Sequence, residues 1–371
     1  MRSTTLHLSK YPPFRGGMDK VLRLHAADGA GQTLNLLRLP EGDSNAPGSG
    51  IHVPMGWLRR RLAGARRGGP PGVSLYYNCW GADVMAGADR AEERIGYLHN
   101  FFPHFERYVR HYSRFLDGFL SVSAPMHEAV LRTVPAELRD NSAWVPYPVE
   151  DWFQAPATPP ATCVLGVCGR IARAQKRVDR LPETLARLDR AGLDYRLELL
   201  GDGPDRAWLA EQIGGHPRVL FHGWREGAGL VAVMQGWKYL VSLSDYEGQS
   251  LALLEGIAAG CLPLYPDFHA GRELPPRAAR ACLYRPGDLE GLLVRLVALE
   301  RMGLAEAAEL RAELAGVAAA HRPACYAAAF ADWRARVRPV EGRSARRAAW
   351  RLLVGPVWAY NRFYRRLTHG A

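Results

Sequence analysis

Short apolar runs recur along the chain and alternate with segments whose apolar residues fall three or four positions apart. In the first half TLHLSK, LNLLRL, GVSLYYNC, RIGYLHN and FLSVSAP read as strands. Between them MDKVLRLHAADGAG, FERYVRHYSRFLDG and MHEAVLR read as helices, the first ending among glycines. Residues 151–162, DWFQAPATPPAT, break the pattern with prolines 156, 159 and 160, which predicts a linker. The alternation then restarts with CVLGVCGR, YRLELLG, RVLFHG, YLVSLS and CLPLYP. Strands alternating with helices build a parallel sheet covered on both faces. At 371 residues the chain exceeds what one core usually supports. The expectation is an α/β protein of two doubly wound domains, residues 1–155 and 156–333, followed by a basic tail over 334–371.

Charge adds to this picture once it is located. The net charge is +11, but residues 334–371 carry +9 and RRRLAGARR, Arg59 to Arg67, carries +5. The remainder is therefore slightly acidic, and the basicity sits in two patches. The tail interleaves its arginines with Trp350, Trp358, Tyr360, Phe363 and Tyr364. That mixture on an amphipathic helix suits an anionic membrane interface, and equally a helix crossing back onto the first domain. No recognised nucleic-acid motif accompanies the arginines, so nucleic acid is not an expected partner. No apolar run is long enough to span a bilayer, and MRSTTLHLSKYPPFRGG has no apolar core of signal-peptide length, which predicts a cytoplasmic protein, peripheral to the inner membrane face if the patches bind lipid. The six cysteines form no C-x-x-C pair and no metal-ligand cluster, and read as small buried residues.

Chemistry concentrates in YLVSLSDYEGQSLALLEGIAAG, a strand, a short loop and a helix. Gly248 admits a close backbone approach, and Gln249, Ser250 and Leu251 fall near the first helical turn, whose free N–H groups favour a phosphate. Glu247 precedes that turn and Glu255 lies more than a turn inside, so their carboxylates would meet different ends of one extended ligand. Hydroxyl pairs of a ribose or hexose are natural partners for them. The plainer alternative has Glu247 capping the helix and Glu255 solvated on its surface. Against it, Glu255 sits in an apolar segment and needs a partner there.

This segment resembles the signature of the retaining glycosyltransferases of family four, Glu, seven residues, Glu, then small residues ending in glycine. The resemblance implies the GT-B fold, two Rossmann-like domains facing across a cleft, with Glu247 on the transferred sugar and Glu255 on the nucleotide ribose. VCGRIARAQKRVDRL resembles the family's diphosphate-binding segment and implies that role for Arg170 and Lys176. ELLGDGP resembles the strand end that follows it. YPPFRGG resembles the N-terminal glycine loop, placing Gly16 and Gly17 against the donor, and RIGYLHN ends at His99, where the family often has a histidine facing the sugar. Two departures stand out: Arg177 replaces a usual glycine and Gly256 a commoner alanine, while the interdomain segment reads YPVEDWF.

The expected reaction moves a sugar from a UDP- or GDP-linked donor to a glycan or lipid-linked acceptor with retention, without a metal, in keeping with a chain that contains no D-x-D. Bacterial cell-surface polysaccharide or lipopolysaccharide synthesis is the expected setting. A nucleotide-sugar 2-epimerase and an inert sugar-nucleotide-binding protein are the alternatives, separable by whether the donor is turned over and whether turnover needs an acceptor.

Overall fold

Each apolar run becomes a strand because it can be covered on both faces, as the burial of VSLYY and LPLYP along their whole length shows. The computed structural model describes residues 5–9, 21, 31–35, 72–85, 93–268 and 271–340. The chain divides into two units, Met1–Pro146 with Ala327–Ala371, and Tyr147–Tyr326.

The first unit holds β1 (Thr5–Ser9), β2 (Gly31–Asn35), β3 (Val73–Tyr77), β4 (Glu93–Leu98), β5 (Gly118–Ser121) and β6 (Ala143–Trp144), parallel in the order β2-β1-β3-β4-β5-β6. Its described helices are α1 (Ala82–Met85), α2 (Phe105–Tyr112) and α3 (Ala124–Thr133). Helix α2 is shorter than its pattern predicts. The Ser113 hydroxyl donates to the Arg110 carbonyl, and Asp117 is drawn to the sheet, where its carboxylate accepts from the Arg94 amide at 3.0 Å.

The second unit holds β7 (Val164–Cys168), β8 (Arg196–Leu200), β9 (Val219–Gly223), β10 (Tyr239–Val241), β11 (Leu262–Pro266) and β12 (Leu283–Tyr284), parallel in the order β12-β11-β10-β7-β8-β9. Helices α4 (Leu181–Arg190), α5 (Arg206–Ile213), α6 (Gly227–Gln235), α7 (Leu251–Ala258), α8 (Pro276–Cys282), α9 (Leu289–Glu300) and α10 (Leu304–Ala319) connect and cover them, and α11 (Pro323–Arg336) carries the chain back to the first unit. The two-residue strands β6 and β12 are too short to leave a sequence pattern.

Gly166 in β7 has a packing reason. A Cβ there would lie 1.9 Å from the Trp237 ring, which is fully buried and donates from Nε1 to Glu198 at 2.8 Å. The sheet and the indole can meet only over a residue without a side chain.

The division between units lies within about ten residues of the expected 155/156 and 333/334. It falls at 146/147 and 326/327, ahead of both the proline-rich segment and residue 334. YPVEDWF is held within the second unit: the Val149 amide donates to the His321 carbonyl at 2.7 Å, and His321 Nδ1 lies 2.9 Å from the Tyr147 carbonyl oxygen. After the return crossing, Trp333 Nε1 donates to the Asn141 carbonyl, and Asn141 exchanges two bonds with the backbone of Arg338, so this stretch belongs to the first unit. Gly16, Gly17, the helix expected over MDKVLRLHAADGAG, the Arg59–Arg67 patch and the tail beyond residue 340 lie outside the described residues.

Candidate functional site

The second sheet reverses its strand order between β7 and β10, and a crevice opens at the carboxyl ends of strands that diverge in this way. A cleft lies there, lined in part by Gly169, Arg170, Lys176, Ser244, Ser250 and Tyr265. Its floor is backbone. The Gly169 amide donates to the Leu200 carbonyl at 3.0 Å and the Ile171 amide to the Asp202 carbonyl at 2.9 Å. Gly169 and Gly201 hold φ of +138° and +145°, and a Cβ on Gly201 would come within 1.9 Å of the Gly169 carbonyl oxygen. Two glycines facing each other let the exits of β7 and β8 run side by side.

The N-terminus of α7 opens onto this cleft. Ser250 is its N-cap, its hydroxyl accepting from the Leu253 amide at 3.3 Å. The amides of Leu251 and Ala252 lie in a first turn that offers them no intrahelical acceptor, so this end of the helix attracts an anion.

Glu247 does not cap the helix. It is only 7% exposed, and its Oε1 accepts from Lys176 Nζ at 2.5 Å and from the Ser244 hydroxyl at 3.0 Å. Gln175 Nε2 approaches the other oxygen at 3.4 Å and donates to the Tyr246 carbonyl at 3.0 Å. Arg170 reaches Gln175 Oε1 at 3.4 Å, a long bond that leaves most of its donors directed elsewhere. Glu255 is 4% exposed in the second turn of α7, so the solvated alternative does not hold. Gly248 and Gln249 are buried between Glu247 and the helix, and Gln249 donates to the Glu273 carboxylate.

The sequence reading missed Gln175, Ser244, Tyr265 and Glu273. Tyr265 is the most informative of them. It is fully buried in β11, its hydroxyl beside those of Ser242 and Ser250. Burial raises its pKa well above the ordinary phenol value, so it stays protonated and able to donate into the cleft. Within CLPLYP it was legible only as a strand residue.

His99 lies in the first unit at the carboxyl end of β4. Its amide donates to Asn78 Oδ1 at 2.8 Å, and its ring stacks on Tyr77 with centroids 5.1 Å apart and 7° between the planes. Asn78 and Cys79 leave β3 with φ of +48° and +53°, and the Tyr108 hydroxyl donates to the Asn78 carbonyl. Tyr77 and Asn78, at the end of β3, therefore hold His99 in place. Among the described residues no group of three His, Cys, Asp or Glu side chains could hold a metal ion, and no helix is long and apolar enough to cross a membrane.

Residues 162–301 match the family model described as glycosyl transferases group 1. No curated protein matches the chain. Among solved structures, S. aureus TarM, in complex with Fondaparinux, alpha-GlcNAc-glycerol and UDP, is similar with a TM-score of 0.60 and 14% identity over 75% of this chain. The chain spans 58% of TarM's length. Anabaena HepE, in complex with UDP and glucose, has a TM-score of 0.70 and 15% identity over 90% of this chain and 100% of its own. The lipopolysaccharide outer core galactosyltransferase WaaB, in its apo form, has a TM-score of 0.60 and 18% identity over 89% of this chain and 99% of its own. The fold is that of the GT-B glycosyltransferases.

Proposed function

Residues 162–301 of this chain are a group 1 glycosyltransferase domain, and from that premise we propose that the protein is a retaining hexosyltransferase of family four. It takes a UDP- or GDP-linked sugar and delivers it to a glycan or lipid-linked acceptor on the cytoplasmic side of a bacterial membrane, in cell-surface polysaccharide synthesis. One observation carries the reading: Arg170, Lys176 and the N-terminus of α7 line a single cleft at the switch point of a Rossmann-like sheet. Two cations and a helix terminus are what a departing nucleoside diphosphate needs. The UDP bound by TarM and HepE supports a UDP-linked donor, and WaaB, a lipopolysaccharide outer core galactosyltransferase, supports a surface-glycan acceptor.

In the reaction, the bond from the anomeric carbon to the diphosphate oxygen breaks and a bond to the acceptor oxygen forms on the same face. The acceptor proton passes to the departing phosphate oxygen. Arg170 and Lys176 hold that phosphate's charge, the amides at the start of α7 add their dipoles, and Tyr265 donates into the same cleft. Glu247 and Glu255 hold the sugar and the ribose, and neither moves a proton. The family resemblance further assigns His99 to the transferred sugar and Gly16 and Gly17 to the donor. No metal is required.

A panel of UDP- and GDP-linked sugars screened by thermal shift identifies the donor, since a ligand of the folded state alone raises its stability. Nucleotide release is then measured with and without glycan acceptors. Release that depends on acceptor, yields the retained anomer and is lost in Glu255→Ala is the expected result. Isomerisation of the donor without acceptor, or binding without turnover, would refute the proposal.

A further inference from the structure

Two short segments meet at the rim of the cleft, residues 175–177 after β7 and 245–247 after β10. The Asp245 amide donates to the Gln175 carbonyl at 3.0 Å, and Gln175 Nε2 returns a bond to the Tyr246 carbonyl. Two ion pairs flank these bonds. Lys176 Nζ meets Glu247 at 2.5 Å, and Arg177 meets Asp245 Oδ2 at 2.8 Å. The second oxygen of Asp245 takes Arg180 at 2.8 Å, while the other terminal nitrogen of Arg180 donates to the Leu243 carbonyl at 2.8 Å. Arg177 also grips Asp179, whose pKa its hydrogen bonds depress.

Arg177 makes these contacts from a left-handed backbone, φ +50°, which disfavours any residue with a Cβ. A glycine would hold the turn without strain but could not reach Asp245. The two ion pairs also differ in what they face. Lys176 lines the cleft, whereas Arg177, Arg180 and Asp245 do not. A diphosphate in the cleft competes with Glu247 for Lys176, while the Arg177–Asp245 pair stands outside the cleft lining.

We propose that Arg177, Asp245 and Arg180 form a fixed clamp that keeps the Glu247 loop in register on the β7 loop while Lys176 exchanges Glu247 for the donor diphosphate. Arg177 and Asp245 are then positioning residues for the sugar end of the donor. The inference rests on the nucleotide-sugar reading above. Losing the clamp weakens recognition of the sugar more than that of the diphosphate, because the diphosphate's own contacts come from Arg170, Lys176 and α7.

The test uses the full chain and three variants, Arg177→Gly, Arg177→Lys and Asp245→Asn. Hydrogen exchange over residues 242–249, without added nucleotide, is expected to quicken about tenfold in Arg177→Gly and further in Asp245→Asn, which loses both arginines at once, with exchange in β7 and β8 unchanged. Calorimetry then compares the nucleotide sugar that the wild type binds best with its parent nucleoside diphosphate. In Arg177→Gly the diphosphate affinity stays within about threefold, the sugar's extra affinity falls about tenfold, and Arg177→Lys restores part of it. Unchanged exchange overturns the clamp. Faster exchange with both ligands weakened equally overturns its assignment to the sugar end. A wild type that binds no nucleotide sugar refutes the donor reading and the positioning role together, while the exchange data still decide whether the clamp exists.

Discussion

Replacing Gly201 by alanine tests whether the cleft floor is set by the close passage of two backbones. The native φ of +145° belongs to a region in which a residue with a Cβ is strained by about 1–3 kcal/mol. The new Cβ would also stand 1.9 Å from the Gly169 carbonyl oxygen, and ordinary contact begins near 3.4 Å. The obstacle is backbone, so no rotamer change relieves it. Overpacking of this kind costs about 1–3 kcal/mol, and moving Gly169 also strains its amide bond to Leu200, worth about 0.5–1.5 kcal/mol. The sum is roughly 2.5–7.5 kcal/mol. Gly192 provides the control: its φ is +66°, but nothing lies within 4 Å of an added Cβ, so alanine there costs only about 1–2 kcal/mol of backbone strain. Urea midpoints compared at the wild-type m value give the difference. Gly201→Ala should also abolish the thermal shift by nucleotide, which Gly192→Ala should keep. Equal midpoints for the two variants, or a preserved nucleotide response in Gly201→Ala, would refute the reasoning.

Further outcomes follow from other parts of the structure. Glu247→Gln removes the competitor for Lys176 but preserves shape, so nucleoside diphosphate affinity is expected to hold or rise while sugar transfer falls at least about a hundredfold, in the range of a lost transition-state contact; calorimetry and turnover on one preparation check both signs. Gly166→Ala forces the Trp237 ring off Glu198 and should destabilise by at least about 2 kcal/mol in urea. Burial lowers the pKa of His321 below its ordinary value, so unfolded chains bind more protons just below pH 6.5; stability is lost as pH falls from there, and His321→Gln should flatten part of the fall in thermal midpoint between pH 7 and 5. Vesicle sedimentation tests the basic patches at Arg59–Arg67 and Arg334–Arg366: binding to anionic but not neutral vesicles is expected, and equal binding, or none, would sink the electrostatic anchor.

The second unit was the more legible half because its strands are continuous apolar runs and its site residues follow those runs directly, as Arg170 follows β7 and Glu247 follows β10. What escaped detection depends on contacts between distant segments. Gln175 gains its role only from Asp245 and Tyr246, some seventy residues on, and Tyr265 is one more apolar position of a strand in CLPLYP. The boundary at 146/147 was hidden because prolines mark chain stiffness, whereas domain membership depends on partners: Tyr147 and Val149 find theirs in His321, far along the chain. His99 enters through the family resemblance alone, and the hold on its backbone comes from Asn78, whose left-handed conformation no period reveals. Arg177 shows the converse, an apparent departure from pattern that the structure turns into a contact.

The strand order also bears on how the protein comes into being. β7 pairs with β10, Leu165 beside Tyr239, while β8 and β9 are added on the other side. A growing chain therefore makes Arg170 and Lys176 long before the helix they share a cleft with, and must close a wide loop over two finished βα turns to join them. The anion site is therefore complete only once this long-range pairing has formed. A nascent or truncated chain that ends before Tyr239 carries the cations of the site without the site itself.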